Sequence, residues 1–133
     1  MKILLVEDHG DTRSTLERIM GRWGHDVEAA PDLRSGLTHL ARDGFDAIVS
    51  DIALPDGTGY ALISEARRSG STHAVAIAIS AYPFPNEAHE ANVTGFDHHL
   101  SKPFSARHLR RLLENKDSAE DDPSANIGTP SLN

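Results

Sequence analysis

The segment Phe45-Asp46-Ala47-Ile48-Val49-Ser50-Asp51-Ile52-Ala53-Leu54-Pro55-Asp56-Gly57-Thr58-Gly59 changes character at one residue. Ala47 to Ser50 reads as a buried strand with two adjacent branched apolar residues. The run stops at a carboxylate, Asp51. A proline and two glycines follow and turn the chain out of the sheet. A strand that delivers an acid to a sheet edge and then breaks places that acid where chemistry can occur. A turn-capping Asp would look the same in isolation, because turns often carry one. The other strands decide between the two readings.

Working outward, Ile3 to Val6 is a second uninterrupted apolar run, as expected of a central parallel strand buried on both faces, and Glu7, Asp8 and His9 follow it. Asp11 can cap the next helix. Leu16, Ile19, Met20 and Trp23 share one face of that helix, and Gly24 is placed to end it. Asp26 to Ala30 is a weaker strand. Pro31-Asp32 starts a second helix with Leu33, Leu37, Leu40 and Ala41 on its apolar face, stopped by Gly44. A third helix spans about Tyr60 to Ser69, with Leu62, Ile63 and Ala66 inward. Ala74 to Ile79 is another apolar strand, ending at Ser80. A short polar helix is expected over about Asn86 to Val93, then a strand over Asp97 to Leu100. Ser101-Lys102-Pro103-Phe104 turns the chain, and Ser105 caps a fifth helix with Leu109, Leu112 and Leu113 inward. Five strands alternating with five helices make an open, doubly wound α/β parallel sheet with helices on both faces. Asp117 to Asn133 is rich in Ser, Asp, Pro and Asn, so residues 1–116 read as one domain and 117–133 as a disordered tail.

The 133 residues suffice for one domain, and 25 % charged with 38 % hydrophobic residues suits a globular protein. No apolar run is long enough to span a bilayer, and the N-terminus has no signal-peptide cleavage pattern. Absence of cysteine excludes disulfides and thiolate metal sites and fits a cytoplasmic location. A formal net charge of -7 argues against a nucleic-acid partner. The histidines are scattered: His98 and His99 point to opposite faces of a strand, and no His-x3-His pair sits with a third ligand, so no zinc site is expected. His9 borders the acids and is read as facing solvent. Trp23 is read as core, and Arg107, Arg110 and Arg111 as a solvated helix face.

Ligands of such sheets bind at the C-terminal edge of the strands. Glu7 and Asp8, Asp51, Ser80 and Lys102 all fall there. Crowded carboxylates raise one another's pKa, and a hard divalent cation such as Mg²⁺ removes that penalty. Lys102 supplies a point charge to a phosphate oxygen, and Ser80 a hydrogen bond. A carboxylate is also a competent nucleophile toward phosphorus. The residues thus describe a magnesium-assisted phosphoryl-transfer site with Asp51 as acceptor.

Val6-Glu7-Asp8, Ser50-Asp51 with Leu54-Pro55-Asp56-Gly57-Thr58-Gly59, Ile79-Ser80-Ala81, and Leu100-Ser101-Lys102-Pro103-Phe104, in this order and spacing, resemble the response-regulator receiver domains of two-component signalling. The resemblance covers all but the tail. It implies a flavodoxin-like sheet of order 2-1-3-4-5. It implies that Asp51 takes a phosphoryl group from a histidine kinase or a histidine phosphotransfer protein, and that the domain signals to a downstream protein rather than acting as an enzyme. It implies Mg²⁺ held by Asp8, Asp51, the Ala53 main-chain carbonyl and, through water, Glu7. It implies Lys102 and Ser80 on the phosphoryl group and a cis Lys102–Pro103 peptide. Such domains carry Tyr or Phe as a switch residue where this chain has His99, which would act with Ser80 over the small Ala81. Ala53 and Tyr82 would flank the approach of hydrolytic water. A haloacid-dehalogenase-type phosphatase needs a second Asp where Ala53 stands, and a flavodoxin-like binder needs a phosphate-cradling loop where Glu7 and Asp8 stand. With no effector domain following, output is expected through protein contact, phosphate relay or a longer parent protein.

Overall fold

A computed structural model describes residues 1–71, 73–81 and 95–114. The elements in order are β1 (Lys2–Val6), α1 (Gly10–Arg22), β2 (Asp26–Ala30), α2 (Leu33–Arg42), β3 (Ala47–Asp51), β4 (Ala53–Leu54), β5 (Gly57–Thr58), α3 (Gly59–Arg68), β6 (Val75–Ser80), β7 (His98–Ser101) and α4 (Ala106–Glu114). Five strands form one sheet in the order β2-β1-β3-β6-β7, every pairing parallel. This is the expected 2-1-3-4-5 topology. The labels differ because β4 and β5 form a separate antiparallel ribbon, which periodicity does not reveal in strands of two residues.

Alternation along the strands divides the core into two layers. Leu4, Val6, Ile48, Ala76 and Ala78 face α2 and α3, where they meet Leu40, Leu62, Ile63 and Ala66. Ile3, Leu5, Val49, Ile77 and Ile79 face α1 and α4, where they meet Leu16, Met20, Leu109 and Leu113. Leu62 and Ile63 are fully buried, each contributing about 1.5–3 kcal/mol relative to an exposed position. The helix ends follow local chemistry. Asp32 accepts from Ser35 N at 2.8 Å as the cap of α2, and Ser105 Oγ accepts from His108 N at 3.1 Å. Gly24, just past α1, has φ +97°, a conformation open to glycine without strain.

Some details differ from the sequence reading. Asp11 lies inside the first turn of α1, and His9 holds the N-cap position without a side-chain cap bond. Ala41 is exposed, and Gly36 takes the buried place on α2, packed against Val6 and Leu62. Arg110 is exposed, as read, and its guanidinium also lies 5.4 Å from the Trp23 ring centroid with its Nε 2.8 Å from Glu114. β7 starts at His98 because both Asp97 N and its carboxylate are engaged with Ala76, each at 2.8 Å, which sets the register before the ladder begins. The expected helix over Asn86 to Val93, Tyr82 and the tail from Asp117 lie outside the described residues.

Candidate functional site at the C-terminal edge of the sheet

β1 and β3 are hydrogen-bonded neighbours, so their ends bring Glu7 and Asp8 alongside Asp51. β6 ends at Ser80, opposite Ser101 of β7, and Lys102 N donates to Ser80 O at 2.8 Å. The cis Lys102–Pro103 peptide falls immediately after that anchor, as expected. Lys102 Nζ reaches 3.3 Å from Glu7 Oε1 and 3.3 Å from Asp51 Oδ2, joining residues 95 and 51 positions apart.

The site is charged and largely dry. Glu7 is fully buried, Asp51 is 6 % exposed and Ser80 8 %, while Asp8 is open to solvent. Burial, then the neighbouring Glu7 charge, push the Asp51 carboxyl from 3.8 up to about 6, with Lys102 opposing the rise. Burial works to lower the Lys102 pKa, but the charges of Glu7 and Asp51 together outweigh it, and the group is raised. Glu7 is further held by Oε2, which accepts from His9 N at 3.1 Å, and its main-chain carbonyl accepts from Arg13 Nη1 at 2.9 Å.

The ribbon positions Ala53. Ile52 N donates to Ile79 O, Gly59 N donates to Ile52 O, and Ala53 pairs with Thr58. A Cβ on Gly59 would lie 2.5 Å from the Asp51 carbonyl oxygen, so only glycine lets α3 begin this close to the strand end. The Asp56 carboxylate accepts from Leu33 N at 2.8 Å and Arg34 N at 3.0 Å, fastening the ribbon to the start of α2.

Of the residues anticipated from sequence, Glu7, Asp8, Asp51 and Lys102 converge, and Ser80 and Ala53 lie at the same edge. His99 sits on the α3 side of the sheet, its ring centroid 6.1 Å from Phe96, while His98 lies on the other face, close enough to act electrostatically on His108. His9 is exposed, as read, and also borders the acids closely. Its Nδ1 lies 3.3 Å from Glu7 Oε2 and 3.5 Å from Asp8 Oδ1, and ligand atoms of Glu7, Asp8, His9 and Asp51 all fall within 4.8 Å of one another. The signal was its place directly after two acids at a strand end.

Comparison with known proteins agrees with this geometry. Residues 3–114 match the response regulator receiver domain family. The chain is 34 % identical over 112 residues to the response regulator protein PilR of Pseudomonas aeruginosa, covering 84 % of this chain but 25 % of PilR. Among solved structures it resembles the chemotaxis response regulator CheY4 of Vibrio cholerae, with TM-score 0.78 and 27 % identity over 86 % of this chain and 96 % of that one. It also resembles the receiver domain of the sensor histidine kinase PA1611 of Pseudomonas aeruginosa, with TM-score 0.76 and 28 % identity over 86 % and 94 % of the two chains. That structure has a magnesium ion coordinated in its active-site cleft. Among the described residues, no helix is long and apolar enough to cross a membrane. With acids, lysine and hydroxyl brought to one sheet edge, and with the match running through every described element, the chain belongs to the response regulator receiver domains of two-component systems.

Proposed function

We propose that this receiver takes a phosphoryl group onto Asp51 from a histidine kinase or histidine phosphotransfer protein and relays the change to a downstream protein. The observation that carries the reading is Asp51 itself. It is a nearly buried carboxylate at a central strand end, 3.3 Å from Lys102 and clustered with Glu7 and Asp8. An Asp51 oxygen attacks phosphorus, the phosphorus–nitrogen bond of the donor imidazole breaks with its electron pair returning to nitrogen, and an acyl phosphate remains on Asp51. Lys102 then pairs with one phosphoryl oxygen, and Ser80 donates to another. The domain acts only in its own phosphorylation and dephosphorylation and turns over no separate substrate.

The donor set fits Mg²⁺. The ligands assigned to it are all hard oxygens, and the raised Asp51 carboxyl marks a charge penalty that Lys102 only partly relieves. Asp8 and Asp51 would be direct ligands, with the Ala53 carbonyl, and Glu7 would contribute through water. When bound, the ion neutralises charge on the phosphoryl oxygens. Ser80 and His99 form the switch pair. Ala53 offers no side-chain hydrogen bond to an attacking water, which with Tyr82 keeps hydrolysis slow. The net charge of -7 argues against a nucleic-acid partner, and a histidine-kinase donor would place the domain in the cytoplasm.

The test is covalent labelling. With Mg²⁺ and acetyl phosphate, the wild-type protein gains one phosphoryl group by intact mass and Asp51→Asn gains none. Equal labelling of the two proteins would end the assignment.

A further inference from the structure

We infer that His9 adds an imidazole ligand at this cation site, so that the receiver, besides Mg²⁺, takes a borderline divalent cation of the Co²⁺ or Zn²⁺ class through a nitrogen that Mg²⁺ does not use. The inference rests on the proposed cation site and concerns which ion that site selects.

The geometry is specific to one ring nitrogen. His9 Nδ1 is the atom turned toward both acids, 3.3 Å from Glu7 Oε2 and 3.5 Å from Asp8 Oδ1. It belongs to a set of four donor atoms, one each from Glu7, Asp8, His9 and Asp51, that lie within 4.8 Å of one another. Three are carboxylate oxygens and one is an imidazole nitrogen. A set of oxygens alone suits Mg²⁺, whereas imidazole suits Zn²⁺, Co²⁺, Ni²⁺ and Cu²⁺.

The backbone holds this nitrogen in place. His9 is the N-cap residue of α1, and its own N–H is bonded to Glu7 Oε2 at 3.1 Å. Main chain and ring of His9 are therefore directed at the same buried carboxylate. The ring makes no cap bond that ligation would break. The His9 side chain is 71 % exposed while Glu7 is fully buried, so the imidazole closes the solvent side of a site whose floor is carboxylate. Lys102 approaches Glu7 through Oε1, leaving Oε2 as the oxygen that faces His9.

The experiment compares ions across variants, because most nitrogen- and oxygen-rich sites favour later transition ions to some degree. Calorimetry would give Kd for Co²⁺ and for Mg²⁺ in the wild type, His9→Ala and His9→Asn. Circular dichroism would check the fold, and Asn keeps a good cap residue at the start of α1. Visible absorption of bound Co²⁺ would report loss of a nitrogen ligand. Both variants are expected to weaken Co²⁺ by roughly tenfold or more and Mg²⁺ by less than about threefold, a change of selectivity of order 1 kcal/mol. Equal losses for both ions, or unchanged Co²⁺ affinity and spectrum, would overturn the inference. Wild-type labelling by acetyl phosphate in Mg²⁺ separates the two levels: labelling with no His9 effect defeats only the ion selectivity. Absence of both labelling and cation binding in the wild type defeats the selectivity and the proposed site together.

Discussion

The two edges of the sheet hold similar charges at similar distances and treat them differently. At the N-terminal edge, Lys2 Nζ lies 3.4 Å from Asp43 and 3.7 Å from Glu28, and all three side chains are about a third exposed. At the C-terminal edge, Lys102 Nζ lies 3.3 Å from Glu7 and 3.3 Å from Asp51, whose side chains are 0 % and 9 % exposed. Solvent screens the first set, and such exposed pairs contribute little to stability. The second set has lost most of its water, so Asp51 and Lys102 constrain each other's protonation, with the Glu7 charge acting on both. Water access, more than spacing, separates a surface ion pair from a site with usable charge.

The largest expected contrast comes from removing each lysine. Lys102→Met strands Glu7 and Asp51 with no cation between them. A loss of about 2 kcal/mol is expected, below the 3–5 kcal/mol typical of full burial because Lys102 is itself a quarter exposed. Lys2→Met is expected to leave stability nearly unchanged, because solvent screens its partners. Urea denaturation of metal-free protein at neutral pH measures both, and equal losses would erase the distinction between the edges.

A smaller effect of opposite sign is expected at the acceptor. The folded Asp51 carboxyl, at about 6, lies above its unfolded value of 3.8, so the native state holds this proton more tightly. Its contribution to stability is present below the unfolded value and is lost as pH rises through about 6. At pH 7.5 the ionised group is a cost, and Asp51→Asn in metal-free buffer should be more stable than wild type by about 1 kcal/mol, discounted for sharing with Lys102. The gain should shrink toward pH 4. A destabilised Asn variant at pH 7.5 would show Asp51 to be well compensated.

The smallest effect lies at the N-terminal edge, where His25 is an exception to the screened pattern. Its Nδ1 is 3.2 Å from the Met1 amino group, and its Nε2 is buried with no hydrogen-bond partner among the described residues. Burial, then the amino-terminal charge, lower its pKa below 6.5. A lowered histidine contributes stability that is complete above the unfolded value and is lost as pH falls through the folded one. The urea midpoint should therefore drop as pH falls from 7 toward 5, and drop less in His25→Gln. Parallel pH profiles for the two proteins would assign the drop to other groups.

Much of this arrangement was legible in the sequence. Ile3 to Val6 and Ala47 to Ser50 announce central strands because both faces are apolar, and the acids that end them stand out against that background. Leu62, Ile63 and Ala66 announce a helix face. What local pattern leaves out is pairing across distance. That Lys102 reaches Glu7 as well as Asp51, that Asp56 reaches the start of α2, and that Gly59 touches the Asp51 carbonyl all depend on strand order and register. The two-residue strands β4 and β5 are too short to carry a period. His9 faces solvent as its strand-end position suggests, but that its ring also meets the buried Glu7 depends on the fold.

The Asp56 clasp also has a dynamic consequence. Its carboxylate holds the first two amides of α2, groups with no intrahelical acceptor of their own. Protons on Leu33 and Arg34 can exchange with solvent only when that clasp opens, so their exchange rates time the opening of the loop that follows Asp51. The loop and the start of α2 should open as one unit, which makes two amides more than twenty residues from Asp56 in sequence a native gauge of motion beside the acceptor.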